Sequence, residues 1–280
     1  VAKLRDAANG GTPTVRVAAL RALGSTEHPA EVVPLLFKAA IDADPQVAAA
    51  GRTGLVQING EATDTAIVAT LTQTADQKTR CIAIDVAGQR GIAAAAPILK
   101  RAMDDADADV HNAATLAFGA TAGAEEIPYL IGRMIAQSTP EQRLLVQKSL
   151  KAACVRAADR EACAEQLLTA LPSAPVEAKC SLLEVLGSLG GAKALHAVAA
   201  AARDSDATVQ DIASRLLGQW MDADAAPELL KLAKEPGNGK FKIRAIRGYI
   251  RICRQLDMTR EQRLAMCREA LAQADRDEEQ

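Results

Sequence analysis

Thr12-Pro13-Thr14-Val15-Arg16-Val17-Ala18-Ala19-Leu20-Arg21-Ala22-Leu23-Gly24 is a helix written with its start and stop signals. Thr12 supplies an N-cap oxygen, and Pro13 takes the first helical position, where a missing N–H costs nothing. Val15, Ala18, Ala19, Ala22 and Leu23 share one face at helical spacing and predict the core stripe, with Gly24 as a left-handed stop. The design returns about every 32 residues. Its start recurs as Asp44-Pro45-Gln46-Val47, Asp76-Gln77-Lys78-Thr79-Arg80, Asp107-Ala108-Asp109-Val110 and Asp206-Ala207-Thr208-Val209. A carboxylate there caps free N–H groups and complements the helix dipole. The closing glycine recurs as Gly88, Gly119, Gly187 and Gly218.

Between these helices runs a second kind. Pro34, Pro97 and Pro128 precede Leu35-Leu36, Ile98-Leu99 and Tyr129-Leu130, and Pro227 stands one residue further from Leu229-Leu230. Proline is tolerated in a first turn and bends a helix when deeper. The expected fold is therefore all-α: a right-handed α-solenoid of about eight helix pairs plus a final helix, Thr259 to Ala274. That last helix opens with the capping-box pattern Thr259-Arg260-Glu261-Gln262. Units around Ser138 to Pro175 are longer, with loops at Val155 to Asp159 and Leu171 to Pro175, and Glu235-Pro236-Gly237-Asn238-Gly239 inserts residues before the last inner helix. Residues 1–275 read as a single repeat array and 276–280 as a charged tail. The chain opens at Val1, inside an expected helix reaching Ala8, and so reads as part of a longer protein.

Composition agrees. The 280 residues are 49% hydrophobic but only 2% aromatic, so the apolar fraction is mostly small or aliphatic and helix-forming. Thirty-three basic against 35 acidic residues give a net charge of −2, which argues against a chain-wide nucleic-acid surface. No apolar run approaches the roughly 20 residues that span a bilayer. Six cysteines lack metal spacing, and His28, His111 and His196 stand near no cysteine pair, so no metal or cofactor site is expected.

The Asp-x-x-Val starts, Ala-Ala-x-x-Ala-Leu-Gly and the Pro-x-Leu helices resemble HEAT repeats, particularly the short bacterial type shared with phycobilin-lyase repeats. The end of the chain, from Phe241-Lys242-Ile243-Arg244 to Arg268-Glu269-Ala270-Leu271, is similar to HEAT segments of large multidomain bacterial proteins. That resemblance implies an attached sugar-hydrolase-like domain and export from the cytoplasm. It carries a fold more than a function, because HEAT arrays serve many tasks.

The sharpest local feature is a basic stripe: Lys240, Arg244, Arg247, Arg251 and Arg254 occupy a strip about 80° wide at 100° per residue. In a HEAT solenoid this face lines the concave surface, where Arg forks hold carboxylate, phosphate or sulfate. The competing reading is a ladder paired with Asp211, Asp222 or Asp224 of neighbouring units. Trp220, Phe241 and Tyr249 lie nearby, either as contact residues or as core wedges.

Cys154 and Cys163 flank a turn near Ala157 with an axial mismatch of about 3 Å, within disulfide reach if both face inward. Cys253 and Cys267 flank the turn near Asp257 with a mismatch of about 9 Å and make a poor disulfide candidate; buried free thiols are the default for all six cysteines. No Ser–His–acid set, phosphate loop or His pair at i, i+4 is present, and His111 reads as polar lining. The chain is thus expected to be a noncatalytic scaffold binding a protein or peptide. Alternatives are an accessory domain that positions glycan for an attached domain, and a HEAT-type lyase.

Overall fold

In the computed structural model, residues 1–25, 29–235 and 239–274 are described. The expected insertion at Pro236 to Asn238, His28 and the tail at 276–280 lie outside them. Among the described residues the chain forms seventeen α-helices and no strand, the expected eight pairs and a final helix. It divides into two compact units, Val1–Glu126 and Ile127–Gln280.

The first unit holds α1 (Ala2–Gly10), α2 (Pro13–Leu23), α3 (Pro29–Ala40), α4 (Pro45–Gln57), α5 (Glu61–Gln73), α6 (Gln77–Arg90), α7 (Ala96–Ala102) and α8 (Ala108–Thr121). Each odd-numbered helix packs on the even-numbered helix that follows it, and α2, α4, α6 and α8 stack in sequence as a second row. Leu20, Leu36, Leu55, Ile67, Ile84, Leu99 and Phe118 fill the space between the rows.

The second unit repeats the plan with α9 (Ile127–Ile135), α10 (Pro140–Arg156), α11 (Arg160–Ala170), α12 (Val176–Leu189), α13 (Ala192–Ala201), α14 (Ala207–Gly218), α15 (Ala226–Lys234), α16 (Gly239–Gln255) and α17 (Arg260–Gln273). Here α10, α12, α14 and α16 form the second row, and α17 closes it against α15 and α16. Leu130, Leu150, Leu167, Leu186, Val198, Leu217 and Leu229 are buried between the rows.

The Asp caps work as the spacing implies. Asp44, Asp107 and Asp206 each accept from the next two free backbone N–H groups, and Asp76 accepts from Thr79. Thr259 and Gln262 form the reciprocal capping box. Thr12 is the N-cap residue of α2, but its side chain makes no capping bond.

A second carboxylate precedes three of the caps and ties neighbours together. Asp42, Asp105 and Asp204 accept from the backbone N–H of Asp44, Asp107 and Asp206. Each also meets a cation from the preceding second-row helix: Arg16, Arg80 and Lys179 respectively. The Arg16 hydrogen bond, followed by the Asp44 N–H, holds the Asp42 carboxyl below its ordinary range.

The recurring glycine is not a left-handed stop, although Gly24 is the C-cap of α2 and Gly218 the last residue of α14. Gly24 has right-handed backbone angles, while Gly88, Gly119 and Gly187 lie inside α6, α8 and α12. Gly24, Gly88, Gly187 and Gly218 each lie against the next second-row helix. A Cβ on Gly88 would lie 2.9 Å from the Cα of Ala117, and one on Gly248 would lie 2.9 Å from the carbonyl oxygen of Gly218. The left-handed stop of α6 is instead Gly91, at φ 65°.

The α2 stripe also differs from its pattern. Ala19, Leu20 and Leu23 are buried, whereas Val15, Ala18 and Ala22 are exposed. A second-row helix touches its pair partner and two row neighbours, and α2 meets only one of the latter, so part of its apolar arc is left open.

Candidate functional site

Phe241, Ala245, Ile246, Tyr249 and Ile252 bury one side of α16 against the second unit's core. The basic residues divide on the other side. Arg244 is half-buried, and its Nη1 donates to the carbonyl and carboxylate oxygens of Asp211 (both 2.9 Å) and to Ser214 Oγ (3.0 Å). Lys240 Nζ meets the same Asp211 carboxylate at 2.5 Å. Arg251, also half-buried, donates through Nη2 to the Trp220 carbonyl at 2.6 Å. Arg247 and Arg254 are exposed.

This corrects the expectation that Arg244 and Arg251 stand open as a continuous stripe with Arg247. The contact of Gly248 with Gly218 draws α16 onto α14. Arg244 and Arg251, about one turn either side of Gly248, therefore face α14, while Arg247 and Arg254 turn outward. Of the three expected acidic partners, Asp211 serves; Asp222 instead accepts from the Trp220 indole N–H (2.8 Å) and the Asp224 N–H.

The Lys240 hydrogen bond, then that of Arg244, holds the Asp211 carboxyl below the ordinary carboxylate range. A folded-state value below the unfolded one stabilises above the unfolded pKa, and the gain disappears as pH falls through the folded pKa. Asp211 is 39% exposed, so solvent screens the pair. Asp211→Asn is expected to cost less than about 1 kcal/mol at neutral pH. The difference from wild type should close as the buffer is taken below the carboxylate range, which paired urea titrations across pH would measure.

The aromatics belong to the core. Trp220, Phe241, Tyr249, Phe37 and Phe118 are buried, and Tyr129 is half-buried with the Arg133 guanidinium 6.0 Å above its ring. The Tyr249 hydroxyl donates to the Glu269 carboxylate of α17.

Cys154 and Cys163 are both buried and hydrogen-bonded to each other across the expected turn, but as free thiols rather than a disulfide. Burial pushes the Cys154 thiol up to about 12. For the other cysteine pair, the expected axial mismatch is what the structure corrects. Cys253 Sγ and Cys267 Sγ lie 3.5 Å apart, also as thiols, with Cys267 exposed. Tyr249–Glu269 and Cys253–Cys267 centre the antiparallel register on Thr259 and Arg260, not on Asp257. From that centre the two cysteines are nearly equidistant, and the mismatch vanishes.

Sequence reasoning missed a groove on the exposed face of α4, α6 and α8. Its largest part, about 720 Å³, is lined by Ile41, Arg52, Lys78, Cys81, Asp85 and Ala113 among others. A neighbouring hollow of about 260 Å³ adds Val56 and Gln89. Another of about 250 Å³ is formed by Asp85, Gly88, Gln89, Leu116, Ala117 and Ala120. Asp85 belongs to all three. Desolvation by the surrounding helices pushes its carboxyl above the ordinary range, against a weaker pull from the Arg52 charge.

Leu116 is 44% exposed on this groove, because Ala117 and Phe118 take the inward positions of α8. The sequence signal for the site was a carboxylate interrupting the apolar run Ile82-Ala83-Ile84-Asp85-Val86-Ala87. His111 is a half-buried residue of α8. Among the described residues no three His, Cys, Asp or Glu side chains cluster as a metal site, and no helix is long and apolar enough to cross a membrane.

No protein-family model and no curated protein matches the chain. Solved structures do. A chain from the complex of Kap95p with RanGDP superposes with a TM-score of 0.50 at 12% identity, over 98% of this chain and 42% of that one. The CpcE–CpcF phycocyanin lyase complex from Nostoc sp. PCC7120 gives 0.39 at 16% identity, over 86% and 94% of the two chains. Human deoxyhypusine hydroxylase gives 0.36 at 18%, over 88% and 96%. At these identities the likeness concerns the fold alone, and that fold is an all-helical repeat array, an α-solenoid of the HEAT kind.

Proposed function

We propose that this chain is a noncatalytic interaction scaffold whose second-row helices capture a protein or peptide. The observation that carries the reading is the open groove over α4, α6 and α8. It places exposed aliphatic surface, Ile41 and Leu116, beside the charges of Arg52, Lys78 and Asp85. Apolar contact area framed by a few charges is what a polypeptide surface offers in return. The Kap95p chain that shares the fold binds RanGDP, which supports a protein partner for such an array.

In the second unit, the basic face of α16 adds contacts to anionic groups. Arg247 and Arg254 meet the ligand from exposed positions, and Lys240, Arg244 and Arg251 hold the helix in place behind them. The burial of five of the six aromatic side chains favours a protein over a glycan as the occupant of this groove.

A photo-cross-linking residue at Gln89, on the groove wall, tests the scaffold reading in the full chain inside its native cell. Discrete protein adducts are expected there, and none from the same residue at Lys38, exposed on the first-row helix α3. Equal labelling from both faces, or none from Gln89, overturns it. For α16, the expected result is that Arg254→Glu weakens binding of a fluorescent hexaglutamate peptide several-fold and flattens its salt dependence, at an unchanged melting temperature. A fall in melting temperature with unchanged binding would make the stripe structural.

A further inference from the structure

The two units of the chain contain the same pair of positions solved in different ways. Glu184 of α12 stands three residues before Gly187, and Arg215 of α14 stands three residues before Gly218. Their side chains meet, Nη2 to Oε1 at 2.7 Å, and the second carboxylate oxygen of Glu184 accepts from Gln147 at 2.7 Å. That carboxylate is satisfied from both sides.

In the first unit the equivalent residues are Asp85, three before Gly88 on α6, and Leu116, three before Gly119 on α8. The carboxylate is kept and the arginine is replaced by leucine. Among the described residues Asp85 accepts no hydrogen bond, and Arg52 across the groove forms no ion pair with it. The hollow between Asp85 and Leu116 has Gly88, Ala117 and Ala120 around it, carries the Gln89 amide beside Asp85, and is not lined by Arg52. Its volume of about 250 Å³ exceeds that of a single side chain, so one can enter it.

We infer that this hollow receives a guanidinium side chain from the partner, an arginine of a bound polypeptide, in the place that Arg215 fills within the second unit. The Asp85 carboxylate accepts the guanidinium fork, a geometry that favours two parallel hydrogen bonds. The Gln89 side-chain oxygen takes a further N–H. The aliphatic stem lies along Leu116, which explains an exposed leucine at that position. Arg52 and Lys78, cations further along the groove, and Asp109 near its end set the polarity of the rest of the peptide. Asp85 is itself exposed, so its carboxylate is open to a ligand.

The inference rests on the scaffold reading but is tested apart from it, with a small probe in place of a partner. The probe is n-butylguanidinium, which has the stem and the fork of arginine; n-butylurea is the uncharged control. Titrated into the ¹⁵N-labelled full chain, the guanidinium should shift the amide signals of Asp85, Gln89, Leu116 and Ala117 saturably, with millimolar affinity. The urea should not. Asp85→Asn should weaken the response about tenfold or more. Leu116→Arg should remove it by filling the hollow from within, and Glu184→Gln, in the other unit, should leave it intact. Circular dichroism melts establish that each variant is folded. No saturable shift in the wild type, or an equal response in Asp85→Asn, overturns the assignment and leaves the cross-linking result at Gln89 to decide the scaffold reading separately.

Discussion

Phe118→Ala is expected to lower the unfolding free energy by about 3–5 kcal/mol, whereas Leu116→Ala, two residues earlier on α8, should cost less than about 1 kcal/mol. Phe118 has no exposed surface, and its ring sits between the rows of the first unit. Deleting it removes the transfer free energy of the ring and leaves a cavity that stacked helices cannot close without shifting their neighbours. Leu116 is 44% exposed, so truncation removes apolar surface that water already reaches in part, and it opens no enclosed void. Because each unit of a repeat array packs only on its neighbours, the Phe118 defect should be local first. Hydrogen exchange should show α6 and α8 opening well before the helices of the second unit, and urea denaturation should show the larger loss. Similar costs for the two substitutions would mean that the exposed face of α8 is covered in solution.

The contrast marks how far the sequence carries. Helix number, pairing and starts were legible, because an Asp or Thr before a helical apolar period has a local cause: free N–H groups need an acceptor wherever a helix begins. The breaks expected at Val155 to Asp159 and Leu171 to Pro175 fall between helices, but the first is only 157–159, because α10 continues to Arg156, and the second opens as a 3-10 turn, Leu171–Ser173. What each small residue faces was not. Gly88 fits a helix stop by spacing yet lies inside α6 against Ala117, while Gly24 and Gly218 end their helices and also meet the next one. Only the placement of the next helix distinguishes those roles.

The same limit governs the candidate sites. The spacing of the basic residues put them on one side of α16, and Asp211 was among the partners expected for them. That Arg244 and Arg251 turn to α14 while Arg247 and Arg254 turn out depends on the Gly248 contact. Cys253 and Cys267 depended on a register centre that the loop length does not fix. Asp85 became visible as a site only when the stacking placed Leu116, rather than a cation, at its side.

Arg90→Met is expected to cost about 2–4 kcal/mol, the second large loss, and for a reason unrelated to core volume. Arg90 closes α6, and its side chain, 10% exposed, reaches back to the end of the preceding second-row helix. Its Nη1 donates to the carbonyl oxygens of Leu55, Val56 and Ile58, at 3.2, 2.8 and 2.6 Å. Those carbonyls belong to the last turn and C-cap of α4, where no further helical N–H is available. The remaining face of the guanidinium, Nε and Nη2, grips Asp64 of α5 at 2.8 and 2.6 Å. One side chain therefore terminates α4, anchors α5 and belongs to α6. Methionine keeps much of the stem and its packing but supplies no donor, so the three carbonyls lose their shared partner and Asp64 its counterion. Asp64 is 40% exposed, and water recovers that part of the loss; the carbonyls beneath carry most of it. Arg90→Lys should recover only part, because a single ammonium cannot span three carbonyls and a carboxylate as the planar fork does. The measurement is the urea midpoint of Arg90→Met and Arg90→Lys beside Arg21→Met, an exposed arginine of α2. Equal midpoints for Arg90→Met and Arg21→Met would show that the end of α4 is held by its own packing and that the guanidinium only decorates it.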